Sequence, residues 1–193
     1  MNLPNALTLS RMAVAPIFIV CLLSHGFGAR FAALLLFTGA SITDWFDGYL
    51  ARSRGAITDV GKLIDPLADK LLTSLAFIGL VALGRINAIP VLIIIGRDLL
   101  VTSLRAMAGD KGVVIAASNL AKWKTAIQMF AIGGALIHLS WEAWCVRQGM
   151  PVPTTGFWSW WAVLIRGMVF TTAAMALLSG VRYLRASWSA VRS

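Results

Sequence analysis

Asp44 and Asp47 stand three residues apart and Asp65 and Asp69 four apart, within stretches that are otherwise strongly apolar. On a helix either spacing stacks two side chains one turn apart on a single face. A carboxylate left unpaired in hydrocarbon costs several kcal/mol, so four converging ones need positive charge between them. Hard oxygen donors suit Mg²⁺ or Mn²⁺, and the pattern predicts two divalent cations held by Asp44, Asp47, Asp65 and Asp69. Two ions about 4 Å apart can clamp a diphosphate, stabilise charge on the leaving group and ease attack by an alcohol. The carboxylate nearest the acceptor would serve as general base. The alternative is a set of helix-end charges paired with Arg52, Lys62 and Lys70.

The neighbours of these aspartates are small or cationic. Gly48 and Ala51 share the stripe of Asp44 and Asp47, and Gly61 is in line with Asp65. Small residues there let a flat group approach the backbone, or simply let helices pack closely. Arg52 carries the fork suited to phosphate or carboxylate. Further along, Arg97 falls well inside an apolar stretch, where a guanidinium marks a polar cavity and a doubly charged phosphate is a suitable partner. Arg105 and Lys122 flank the following loop; snorkelling at an interface is their other reading. Asn5 and Thr8 put polar groups at the start of the first apolar run, as helix caps or as nucleotide contacts. Arg166 is left without a role.

The elements that must position these groups follow from composition. Of the 193 residues, 59% are hydrophobic and 13% charged, against about 45–50% and about 25% in ordinary soluble domains. So much apolar surface requires lipid as solvent, and the expected class is an all-α integral membrane protein. Runs of about 20 apolar residues place six transmembrane helices near 5–25, 30–53, 61–84, 87–108, 120–140 and 157–185, one membrane domain over 1–193. Glycine and proline clusters punctuate the short connections, Gly84 to Asn87 and Gly149 to Pro153 among them. The N-terminus has no basic region ahead of its apolar run, so the first segment is expected to stay. Cys21 and Cys145 lack metal-ligand spacing and read as buried thiols.

Most Lys and Arg residues, from Arg11 through Arg52, Lys62, Arg105 and Lys124 to Arg192, fall on the side of the termini; Arg30, Arg85 and Arg147 fall on the other. The positive-inside rule then puts both termini on the cytoplasmic side, the side to which the aspartate pairs also fall. Trp141, Trp144, Trp158, Trp160 and Trp161 bracket the last external loop as an interfacial belt. The net charge of +9 favours anionic lipids and anionic substrates. Nucleic acid is not expected, since no soluble stretch presents a basic surface.

Asp44-x-x-Asp47-Gly48-x-x-Ala51-Arg52, eight residues, then Gly61-x-x-x-Asp65-x-x-x-Asp69 resembles the CDP-alcohol phosphotransferase signature at each of its fixed positions. The resemblance implies a six-helix membrane fold, usually homodimeric, with a cavity open to the cytoplasm of a bacterial inner membrane. It implies the four aspartates as ligands of a binuclear metal centre, with Asp69 also the base on the acceptor hydroxyl. Gly48, Ala51, Arg52 and Gly61, with Asn5 and Thr8, would border the CDP-diacylglycerol.

The acceptor is read from a narrower resemblance. The opening Asn2 to Arg11, Asp44-Trp45-Phe46-Asp47-Gly48, Ile64 to Lys70 and Lys122-Trp123-Lys124-Thr125 are similar to bacterial phosphatidylglycerophosphate synthases over about the first 130 residues. The implied acceptor is glycerol 3-phosphate, its phosphate held by Arg97, Arg105 and Lys122. Arg97-Asp98 stands where that family usually has Arg-Glu. Two alternatives stay open: a cardiolipin synthase of the same superfamily, using phosphatidylglycerol, and a cation transporter, which would want carboxylates spread along a path across the bilayer.

Overall fold

The computed structural model describes residues 3–54, 59–110, 119–152 and 155–192; within these, the side chains of 3–11, 44–54, 59–69, 105–110, 119, 182 and 184–192 lie outside the description. Six α-helices make up the described chain: α1 Leu3–Leu23, α2 Phe27–Arg54, α3 Asp59–Ala82, α4 Ala88–Asp110, α5 Asn119–Arg147 and α6 Phe157–Arg192. No strand occurs among the described residues. Leu120–Arg147 and Phe157–Val181 are long and apolar enough to cross a membrane, and Met12–Leu23, Phe27–Thr43 and Lys70–Ala82 are shorter apolar stretches.

Two glycines end helices by the same device. Gly84 has a φ of 68°, and beyond α3 the Arg85 N–H donates to the Leu80 carbonyl at 2.9 Å while Gly84 donates to Val81. Gly149, also at 68°, ends α5 alike, with Met150 N–H on the Cys145 carbonyl at 2.9 Å. These bonds satisfy carbonyls that the last turn leaves open, and the left-handed residue they need carries no Cβ. The next helix starts at once: Asn87 Oδ1 accepts from the Ile89 N–H at 2.9 Å, and Pro90 sits in the first turn, where no N–H is required. α5 runs seven residues past the expected end of its apolar span, because helix continues wherever backbone bonds and packing allow, beyond the hydrophobic limit.

The helices close a ring. α1 packs on α2 and α3, α2 on α5, α5 on α6, α6 on α4 and α4 on α3, with α3 also touching α5 across the ring. Phe18 and Leu22 of α1, Phe37 of α2, Ala76, Phe77 and Leu80 of α3, Ile94 of α4, Ile132 and Leu136 of α5 and Val169 of α6 fill the core. Small residues set the spacing. A Cβ on Gly79 would stand 2.5 Å from Leu22 Cδ2, and one on Gly134 would stand 3.2 Å from Trp161. The expected tryptophan belt is in part a packed cluster: Trp141 stacks on Trp158 and abuts Trp144, and Trp161 donates to the Gly134 carbonyl. Trp160 is exposed.

Contacts fix the direction of the chain. Arg85 meets Glu142 near the end of α5, Ser140 donates to the Arg30 carbonyl at the start of α2, and Lys124 near the start of α5 meets Asp98 of α4. One end of the ring therefore gathers the C-termini of α2, α4 and α6 with the N-termini of α3 and α5.

Candidate functional site

Asp44 and Asp47 lie on α2 and Asp65 and Asp69 on α3, and the four-residue connection 55–58 can span at most about 14 Å. Asp47 is seven residues from the end of α2 and Asp65 six from the start of α3, each about 10 Å of helix from that connection. Both pairs therefore stand at the same end and the same depth. α2 and α3 both pack on α1. The aspartate side chains lie outside the described residues, as do those of Asn5, Thr8, Gly48, Ala51, Arg52, Gly61 and Arg105; among the described residues no group of three potential metal ligands occurs. The donor set itself fits hard divalent cations: four carboxylates, paired one turn apart on two helices leaving a common short connection.

Bordering this end, about midway along α4, is a buried ionic cluster on α4, α5 and α6. Lys124 is 2% exposed, and its Nζ donates to both oxygens of Asp98, at 2.5 and 2.6 Å. Arg97 Nη1 donates to Asp98 Oδ1 at 3.1 Å. The Arg97 guanidinium lies 5.6 Å from the ring centre of Tyr183, a distance at which a cation over an aromatic face is attracted. Gly180 gives its stem room: a Cβ there would stand 3.3 Å from Arg97 Cγ. Arg97 Nε and Nη2 are buried with no hydrogen-bond partner among the described residues. Lys70, next to Asp69 in sequence, lies within Coulombic reach of Lys124 and so places the middle of α3 beside this cluster.

The sequence expectation named Lys122 beside Arg97. Lys122 is exposed and Lys124 is buried, because two residues rotate about 200° around a helix. The apolar spacing could have shown it: Lys124 is in register with Gln128, Ala131, Ala135 and Leu139, all buried, whereas Lys122 falls between those positions. Asp98, noted only as a departure from a family pattern, turns out to be the carboxylate that both cations share.

Arg166 is exposed on α6 at the other end, where with Arg85, Asn87, Pro90 and Phe170 it lines a cavity of about 410 Å³. It is remote from the aspartates.

The CDP-alcohol phosphatidyltransferase family matches residues 1–173. A Rickettsia bellii protein named CDP-diacylglycerol–glycerol-3-phosphate 3-phosphatidyltransferase is 44% identical over 131 residues, covering 68% of this chain and 72% of that protein. A Bacillus subtilis protein of the same name is 43% identical over 149 residues, covering 71% and 77%. A Mycobacterium tuberculosis protein named probable phosphatidylglycerophosphate synthase is 43% identical over 142 residues, covering 72% and 68%. Together with the two long apolar helices, the match marks a membrane enzyme, and the chain belongs to the CDP-alcohol phosphatidyltransferase family.

Proposed function

We propose that this chain transfers the phosphatidyl group of CDP-diacylglycerol to sn-glycerol 3-phosphate, giving phosphatidylglycerophosphate and CMP. The names of the relatives at 43–44% identity support the reaction. The observation that carries the acceptor is Arg97, buried with an unused Nε and Nη2 edge at the end of the ring that holds the signature aspartates. That edge is a bidentate fork for a phosphate monoester.

In this reading Asp44, Asp47, Asp65 and Asp69 would hold two Mg²⁺ or Mn²⁺ ions, which when bound neutralise the diphosphate and the departing CMP. Asp69 takes the proton from the acceptor hydroxyl. The hydroxyl oxygen forms its bond to the phosphatidyl phosphorus as the phosphoanhydride bond breaks. Gly48, Ala51 and Gly61 let the nucleotide approach the backbone, and Arg52, Asn5 and Thr8 contact it. Arg97 orients the acceptor through its phosphate, with Arg105 adding positive charge. Lys122, being exposed, serves as an approach charge for the anion.

The same reading has six spans with both termini and the cavity on the cytoplasmic side of a bacterial inner membrane, and a homodimer. Labelling a cysteine introduced at position 111 tests the orientation: reaction from outside the cell overturns it. The reaction is tested with purified protein, Mg²⁺ or Mn²⁺ and CDP-diacylglycerol, offered glycerol 3-phosphate, phosphatidylglycerol, serine and inositol phosphate in turn. CMP release with glycerol 3-phosphate is expected. Release only with phosphatidylglycerol makes the chain a cardiolipin synthase, and release with none overturns the proposed reaction.

A further inference from the structure

Arg97 and Asp98 are neighbours in sequence, and a carboxylate within reach of a guanidinium frequently closes on it with two parallel bonds, although successive helix positions point about 100° apart. Here it does not. Lys124 Nζ is bonded to both carboxylate oxygens, at 2.5 and 2.6 Å, and Arg97 keeps a single longer bond of 3.1 Å from Nη1. Its Nε and Nη2, the two donors that point the same way along the guanidinium edge, bond to nothing among the described residues. One carboxylate thus serves two cations, and the trio keeps a net positive charge in a nearly water-free place: the side chains of Arg97, Asp98 and Lys124 are 11%, 9% and 2% exposed. Orphaned charged donors are costly when buried, and a bound anion would meet that cost.

We propose that Lys124 and Asp98 are positioning residues for Arg97. The buried ammonium occupies the carboxylate on both oxygens, which prevents Asp98 from claiming the guanidinium and reserves the Nε and Nη2 edge for the acceptor's phosphate. Asp98, through its one bond to Nη1, fixes the plane of the guanidinium, and Tyr183 covers a face of it at 5.6 Å. Gly180 keeps the Arg97 stem against α6. This inference rests on the acceptor assignment made above.

If Lys124 were merely part of the fold, its loss would impair the handling of both substrates alike and neutralising Asp98 would restore both together; if it restrains Asp98, the loss and the rescue both fall on the acceptor KM alone. Lys124→Met is expected to raise the KM for glycerol 3-phosphate about 10- to 100-fold, the value of a charged hydrogen bond or two. The KM for CDP-diacylglycerol should move less than about twofold, within the scatter of neutral substitutions. Adding Asp98→Asn to that variant is expected to bring the acceptor KM back to within about fivefold of the wild type, since a neutral amide does not compete for the fork.

The double variant replaces a buried ion pair by uncharged groups, which proteins often accept, and so keeps the test readable where Lys124→Met alone does not fold. A double variant whose acceptor KM is no better than that of Lys124→Met, or as poor as that of Arg97→Ala, overturns the positioning role. Equal rises in both KM values for Lys124→Met overturn it too. A wild-type protein that consumes phosphatidylglycerol in place of glycerol 3-phosphate overturns the acceptor assignment instead, so the two failures are distinct.

Discussion

Two charged clusters sit at opposite ends of the same helix ring, and they differ in whether their donors are used up. At the end away from the aspartates, both terminal nitrogens of Arg85 donate to the Glu142 carboxylate, one at 2.8 Å. His138 Nε2 lies 3.6 Å from the same group, and its ring stacks on Trp158 at 5.3 Å. Around Arg97 two cations share one carboxylate, and a guanidinium edge is left without a hydrogen-bond partner among the described residues. A satisfied pair joins elements and is finished; in the proposed reading, the buried cation with donors to spare is left open for the acceptor's phosphate. Charge in a membrane helix is therefore informative through its bookkeeping of donors and acceptors, more than through its presence.

The largest effect should come from the signature end. Asp69→Asn is expected to lower turnover by about 10²- to 10⁴-fold, the range of a general base, while much metal binding persists. CMP release, with metal affinity measured by calorimetry, checks it; substantial residual turnover removes Asp69 from the role of base. Next comes Arg97→Ala, expected to raise the KM for glycerol 3-phosphate about 10- to 100-fold and that for CDP-diacylglycerol far less. An equal effect on both substrates would show that the unused edge serves general folding, and the contrast between the ends would vanish.

The sequence made the outline readable for identifiable reasons. Apolar run length and glycine punctuation located the helices, since Gly84 and Gly149 do adopt the left-handed turn that a helix stop requires. The aspartate spacing and its small neighbours led to the family that the comparison shows. What stayed hidden was pairing across the ring. That Lys124 turns inward was legible in the apolar spacing of α5, but that Asp98 is what it meets there depends on how α4 and α5 are brought together, across 26 positions of sequence. Likewise Glu142 drew no notice, because nothing near it in sequence shows that Arg85 is its partner.

Glu142→Gln probes the finished cluster. Arg85 is 37% exposed and Glu142 13%, so solvent screens the pair and the cost is discounted to about 1 kcal/mol. In a protein of this size that is a fall of about 2–4 °C in Tm, measurable in detergent, with both KM values unchanged. A Glu142→Gln variant that folded as well as the wild type but lost acceptor affinity would reverse the assignment of the two ends.

The smallest effect belongs to Arg166→Gln. Arg166 is exposed and lines the opposite cavity, fourteen residues along α6 from Gly180, which touches Arg97, or about 21 Å of helix. Two unit charges at that separation interact by about 0.8 kcal/mol at an effective dielectric near 20 and by about 0.2 kcal/mol in water. Per unit charge on the phosphate, loss of Arg166 should therefore weaken glycerol 3-phosphate binding by no more than about fourfold, and by about 1.4-fold where solvent intervenes. A purely Coulombic effect fades as added salt shortens the screening length. A larger loss that persists in high salt would mean that the two ends are joined by packing and cease to be independent, which is the outcome that would dissolve the comparison.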